Sequence, residues 1–223
     1  MEPIYLYAAL LDVLGYKQQL ARDRDLGTLD FQDKLSAALK VFDGVNEAVF
    51  RVQAISDTII LTCTEHDQFP EFLKMLREVF ESFIKQSLFV RGGVAYSRHF
   101  QSRHLTYSHA VARAYELESQ LAVYPRIVID KNIIDMYSTG EGLPEIRGDG
   151  LLSSENGVFF VDVLTRQNWG QIYEAARQMY VNSGTPELDE AVFTKHLRFG
   201  RYLFASPHAI HAADKYVRQI ATA

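Results

Sequence analysis

A single cysteine, Cys63, stands among the 223 residues. No disulfide can therefore close within the chain, and a Cys/His zinc cluster lacks its ligands. Only 6 prolines interrupt the sequence, while 12 Tyr and 14 Phe supply apolar bulk, a balance that argues against disorder. Positive charge is scarce: 23 Lys and Arg stand against 28 Asp and Glu, for a formal net charge of −5 and a sequence pI near 5.8. The basic footprint of a nucleic-acid binder is missing, so no nucleic-acid partner is expected. A phosphorylated substrate would have to be held locally, by metal ions and backbone amides. Long apolar runs are missing too. The run Ile4 to Leu11 meets a carboxylate at Asp12 and follows no basic leader, so neither a signal peptide nor a membrane span is expected, and a reducing cytoplasm is the expected compartment. No Walker-type phosphate loop occurs.

What is present suits one compact domain with a decorated edge, since 48% of the residues are hydrophobic. Ile4 to Leu11 predicts a buried strand ending at Asp12-Val13-Leu14-Gly15-Tyr16, followed by a polar helical stretch. The spacing of Phe31, Leu35, Leu39 and Phe42 predicts a helix over Asp30 to Val49. Val49 to Ile55 alternates, Ser56-Asp57 is a turn, and Ile59-Ile60-Leu61 begins the returning strand. A helix over Pro70 to Gln86, a strand over Leu88 to Ser97, a helix from about Tyr107 to Gln120 and a short strand over Arg126 to Ile129 follow. The order β-α-β-β-α-β predicts an α+β class, the split unit of a ferredoxin-like sheet with helices on one face. Beyond Asp130, turns at Gly148 to Gly150 and Glu155 to Gly157 frame a last hairpin near Val158 to Leu164. Trp169 to Val181 and Leu188 to Ile220 are expected to be helical, the latter broken by Pro207.

Two aspartates close strands that are otherwise apolar. In a β-α-β-β arrangement the first and third strands are neighbours, so Asp12 and Asp57 can converge on one edge of the sheet. Two hard carboxylates, a main-chain carbonyl and phosphate oxygens make a Mg²⁺ or Mn²⁺ site. Taken alone, Asp12 reads first as a cap of the next helix and Asp57 as a turn residue, since caps and turns are far commoner than metal sites. His208 and His211 have the spacing of one helical face but no carboxylate motif to complete a zinc site. Cys63 is expected in the core.

The stretches Asp12 to Tyr16, Gln53 to Ile60, Arg91 to Val94, Ala114 to Glu118 and Tyr124 to Val128, in this order, resemble the motifs of class III nucleotidyl cyclases. They are most similar to a bacterial subgroup that includes the pyrimidine cyclases of the Pycsar anti-phage system. The resemblance spans roughly residues 4–165. It implies a catalytic core over residues 1–165 and a helical C-terminal extension of the same domain over 166–223. By that resemblance Asp12 and Asp57 ligate two divalent ions (Mn²⁺ or Mg²⁺), with the carbonyl of Val13 completing one shell. Amides of Leu14, Gly15 and Tyr16, entering a helix, receive the terminal phosphates, in keeping with anion binding at helix N-termini. Gly15 would allow close backbone approach.

At the base-reading position this family carries Lys for adenine and Glu for guanine. Here it is Gln53, whose neutral amide can donate and accept toward a pyrimidine; the same residue also suits an ordinary alternating strand. Phe50 and Arg51 are candidates to pack on or hydrogen-bond the ring, and Ser102, or a neighbour within Gln101 to His104, falls near the second base-reading segment. A gapless fit puts the transition-state pair on His109 and Arg113, one helical turn apart. An alignment anchored on Ala114 to Glu118 moves the arginine position onto Glu116 instead. Arg91 is a further basic candidate. The resemblance thus implies conversion of UTP to cyclic UMP and pyrophosphate in a homodimer with sites between protomers, the cyclic product acting on a separate effector protein. Alternatives are a cytidylate or adenylate cyclase, a catalytically silent nucleotide-binding or dimerisation module, and a scaffold whose acidic strand ends are caps. Gly92-Gly93-Val94-Ala95 has the look of a diguanylate cyclase hairpin but lacks its acidic pair.

Overall fold

The computed structural model describes residues 4–102, 105–138, 148–182, 190–210 and 213–217. The chain begins with β1 (Ile4–Val13), α1 (Tyr16–Leu26) and α2 (Asp30–Leu39), then the hairpin β2 (Phe50–Ile55) and β3 (Thr58–Cys63). It continues through α3 (Phe69–Lys85), β4 (Val90–Gln101), the short β5 (Thr106–Ser108), α4 (His109–Leu121), β6 (Ile127–Ile129) and α5 (Lys131–Ser138). The hairpin β7 (Leu152–Glu155) and β8 (Val158–Val161) and the helices α6 (Trp169–Asn182) and α7 (Glu190–Ala205) complete the described elements. The fold is α+β.

The sheet runs β2-β3-β1-β4-β6-β8-β7, with β5 paired to the far end of β4. The first four strands have the order of a split β-α-β unit, β1 lying between antiparallel β3 and β4, as the sequence predicts. Among the described pairings only β4–β6 is parallel.

Alternation along β1 sends Tyr7, Ala9, Leu11 and Val13 into the large core cluster and Leu6, Ala8 and Leu10 to the opposite face. On the first face α3 inserts Phe72, Leu76, Val79, Phe80 and Phe83, all essentially inaccessible. Burial of a side chain of this size contributes ~1.5–3 kcal/mol, so this layer dominates stability. Trp169, Ile172 and Ala176 of α6 and Phe199 and Leu203 of α7 join the same cluster.

The second face carries α4, against small residues. A Cβ on Gly93 would fall on the Ala114 carbonyl oxygen, and Ala95, Ala110 and Ala114 are fully buried. Glycine and alanine let the helix lie directly on β1 and β4. The two helices of the split unit, α2 and α3, share one face as expected, and α4, which follows the unit, covers the other.

Several boundaries differ from the sequence expectation. The predicted helix ending at Val49 stops at Leu39, gives way to a 3₁₀ turn over Lys40–Phe42, and then to turns in which Asn46 Oδ1 accepts from the Ala48 amide. Tyr107 and Ser108, expected to open the helix, belong instead to the strand Thr106–Ser108 paired with β4, and Ser108 caps α4 by accepting from the Val111 amide. Helix α7 ends at Ala205, so His208 is not helical; His211 lies outside the described residues. Cys63 is core, its thiol donating to the Glu65 carbonyl.

Candidate active site

Asp12 and Asp57 reach the same end of the sheet. Asp12, the penultimate residue of β1, is in register with Thr58 of β3 and Arg91 of β4. Asp57 occupies the β2–β3 turn, which Ser56 tightens by adopting φ 60°. The turn is fastened to the end of β1 because the Val13 amide donates to the Asp57 carbonyl at 3.0 Å. Both side chains are half-buried.

Among the described residues no cluster of three or more His, Cys, Asp or Glu could hold a metal. Two carboxylates at one sheet end nonetheless fit a hard divalent cation that draws its remaining ligands from substrate oxygens and water. Mg²⁺ in particular is held by one or two carboxylates plus phosphates rather than by an all-protein cage.

Beside this end the chain enters α1. The Leu14 amide donates to the Phe89 carbonyl at 2.9 Å, so its expected part in phosphate binding is corrected: that donor is already used. Gly15 and Tyr16 stand at the helix start, where the first amides lack intrahelical acceptors. The first turn holds Lys17 and no acidic residue, which suits an anion. Gly15 has φ 81°, and a Cβ there would meet nothing within 4 Å. The glycine answers a left-handed backbone and leaves the helix start open to solvent.

The half of this face that α4 leaves uncovered forms an open groove of about 1010 Å³. Register puts Arg51, Gln53 and Ile55 of β2 and Thr58, Ile60 and Thr62 of β3 on the same face as Leu10 and Asp12. Gln53, Arg51, Ile60 and Ser102 all line the groove, and Val111 of α4 forms part of its wall. Gln53 is exposed and makes no side-chain hydrogen bond among the described residues. Arg51 Nη1 donates to Gln101 Oε1 at 3.1 Å, across the far end of the groove. Ser102 braces the β4–β5 connection, its hydroxyl oxygen accepting from the Leu105 amide at 3.2 Å. Arg103 and His104 lie outside the described residues. His99, 6% exposed, also lines the groove, and burial lowers its basicity.

Phe50 corrects another expectation. Strand alternation turns its side chain to the α3 face, where it is 5% exposed and stacks on Phe72 with ring centroids 6.3 Å apart. A ring committed to the core cannot also stack on a base.

Arg113 is committed as well. Its Nε donates to Asp130 Oδ2 at 2.7 Å and its Nη1 to Glu116 Oε2 at 3.0 Å, contacts that raise its basicity further. Val111, two residues earlier and so on the other side of the helix, faces the groove; Arg113 faces the end of β6. Within one chain Arg113 is a brace, not a free cation beside Asp12 and Asp57. His109 opens α4, exposed, with its ring edge-on to Tyr107 at 5.3 Å.

Arg91, a further basic candidate in the sequence, is the partner of Asp12, and beside it stands Glu118, which carries no role in the sequence reading. Arg91 Nε donates to Asp12 Oδ2 at 3.1 Å, and the same nitrogen lies 2.7 Å from Glu118 Oε1 of α4. Although nearer, that oxygen lies off the N–H direction and accepts no hydrogen bond. The Glu118 side chain is 4% exposed. Burial raises its pKa; Arg91 opposes the shift and Asp12 adds to it. Its place at the end of the stretch Ala114 to Glu118 was the available signal.

No family model matches the chain, and no curated protein matches it. Solved structures do. A monomeric guanylyl cyclase domain of the RhoGC fusion protein from the aquatic fungus Blastocladiella emersonii is similar at 12% identity and TM-score 0.47, over 72% of this chain and 96% of that one. The guanylate cyclase domain of RhGC from Catenaria anguillulae, in complex with GTP, is similar at 10% identity and TM-score 0.46, over 74% of this chain and 100% of that one. A bacterial light-regulated adenylyl cyclase is similar at 17% identity and TM-score 0.40, over 58% and 44%.

Proposed function

We propose that the chain is a nucleotidyl cyclase that converts UTP to cyclic UMP and pyrophosphate. The observation that carries this reading is the delivery of Asp12 and Asp57 to one end of adjacent strands, beside a helix N-terminus and at the end of an open groove.

Asp12 and Asp57 would hold the divalent ions, Mn²⁺ or Mg²⁺, with the Val13 carbonyl as a further oxygen. When bound, such ions supply Lewis-acid activation of the ribose 3′-hydroxyl and neutralise charge at the α-phosphorus. The amides of Gly15 and Tyr16, with Lys17 near, receive the terminal phosphates as pyrophosphate leaves. The groove holds the base. Gln53 meets it with a neutral amide, which suits an uncharged pyrimidine, and Arg51 and Ser102 line the same trough.

The groove is open on one side, so a second copy of the chain would complete it, in a homodimer with sites between protomers. Exposed Leu105, Tyr107 and Tyr115 around α4 supply apolar surface for that contact. The cyclic product would act on a separate effector protein in anti-phage defence.

The double ion pair of Arg113 favours a second reading, a silent homologue that binds nucleotide without cyclising it. A panel of the four nucleoside triphosphates with Mn²⁺, read by product chromatography, separates them. Cyclic UMP as the dominant product is expected. Preference for ATP would reject the pyrimidine assignment. Absence of product with every triphosphate, alongside nucleotide-dependent Mn²⁺ uptake, would establish the binding module.

A further inference from the structure

The buried, hydrogen-bond-free oxygen of Glu118 calls for an account, because an unpaired buried acceptor ordinarily costs ~1–3 kcal/mol. It lies 2.7 Å from an Arg91 nitrogen whose hydrogen is spent on Asp12. Arg91 thus has two carboxylates within reach and bonds only the one at the sheet end. Register fixes this arrangement. Asp12 and Arg91 are directly opposed across β1 and β4, on the face that α4 covers, and Gly93 and Ala114 let α4 lie close enough to bring Glu118 in.

A divalent cation on Asp12 would change the balance. It competes for the Oδ2 that accepts from Arg91, and it repels the guanidinium. If Arg91 simply lost its acceptor, a quarter-exposed cation would be stranded beside a metal of like sign. Glu118 removes that penalty. Its oxygen is already in contact, and a small rotation of the Arg91 side chain turns the Nε–H from Asp12 onto it.

We propose that Glu118 is a positioning residue for the metal site: it takes over the Arg91 Nε–H when a divalent cation occupies Asp12. This inference rests on the reading of Asp12 as a metal ligand. In the free protein Arg91 satisfies Asp12; in the loaded protein it satisfies Glu118. The buried carboxylate keeps the arginine from acting as a permanent competitor for the metal.

The test uses the full chain with Mn²⁺ and a non-cyclisable triphosphate, whose oxygens complete the ion's coordination, and follows the electron paramagnetic resonance signal of the free ion against a protein-free blank, with product formation measured separately. Glu118→Gln, close in shape, removes the charged acceptor and leaves Arg91 on Asp12, so Mn²⁺ should bind about tenfold more weakly. Arg91→Gln combined with Glu118→Gln removes the competitor and should restore affinity to within about threefold of wild type. A merely structural role for Glu118 would not be rescued by a second substitution. Affinity unchanged in Glu118→Gln, or still weak in the double variant, overturns the proposal. If either variant fails to fold, Arg91→Gln alone decides: it should bind Mn²⁺ more tightly than wild type, and equal or weaker binding refutes the competition. Should wild type bind no Mn²⁺ that Asp12→Asn abolishes, the metal reading itself fails. Should it bind Mn²⁺ but cyclise nothing, only the catalytic reading fails.

Discussion

The two faces of the central strand β1 meet very different neighbours. Toward α3 its side chains enter a layer of Phe69, Phe72, Phe80 and Phe83, sealed further by Trp169 and Phe199 from the C-terminal helices. Toward α4 they meet Ala95, Ala110 and Ala114, and among the described residues the β2–β3 half of that face lies open as a groove that α4 only borders, through Val111. The thick face can supply most of the burial energy. The thin face is then free to carry polar groups: Asp12, Arg91 and Glu118 under α4, and Gln53, Arg51 and Thr62 in the groove. Stability and chemistry are divided across one sheet about one side chain thick.

The largest effect expected from this division is in the aromatic layer. Phe72→Ala should cost about 3–5 kcal/mol in urea unfolding, whereas Ile55→Ala, 58% exposed at the groove rim, should change stability by no more than about 0.5 kcal/mol. Comparable losses at both sites would erase the distinction between the faces.

A smaller effect is tied to pH and belongs to the thick face. His196 of α7 is 5% exposed among Phe89, Tyr180 and Tyr216, and burial lowers its pKa to about 4. The unfolded chain, with an ordinary histidine pKa of about 6.5, binds the proton more readily between these values. Stability from the neutral ring is therefore complete above about pH 6.5 and declines as pH falls toward 4, by up to roughly 3 kcal/mol. Urea midpoints across that range should show the slope, and His196→Phe should flatten it. An equally steep slope in the variant would place the lever elsewhere.

Much of this division can be traced in the sequence. Hydrophobic runs located the first four strands in order, and their topology was enough to put Asp12 and Asp57 at one sheet end. What the sequence concealed were pairings between distant residues. The core role of Phe50 depends on which way β2 is turned, a choice set by its register with Cys63. Arg113 looks free until Asp130, 17 positions on, is seen against it. Tyr107 and Ser108 look helical in the sequence because Ser108, the last residue of the strand, is also the cap of the helix that follows. Helix α5 has one cue in the sequence, Asp130, a residue type suited to capping, and the structure shows it accepting from the Asn132 amide at 3.2 Å.

The proposed chemistry needs two acidic side chains, Asp12 and Asp57, to hold divalent ions together at one sheet end. The most direct measurement compares Mn²⁺-dependent cyclic UMP formation and thermal unfolding in wild type and Asp57→Asn. Activity should fall by more than about 100-fold with unfolding essentially unchanged, since Asp57 is a half-buried turn residue. A variant that folds alike and turns over UTP as fast as wild type would contradict it.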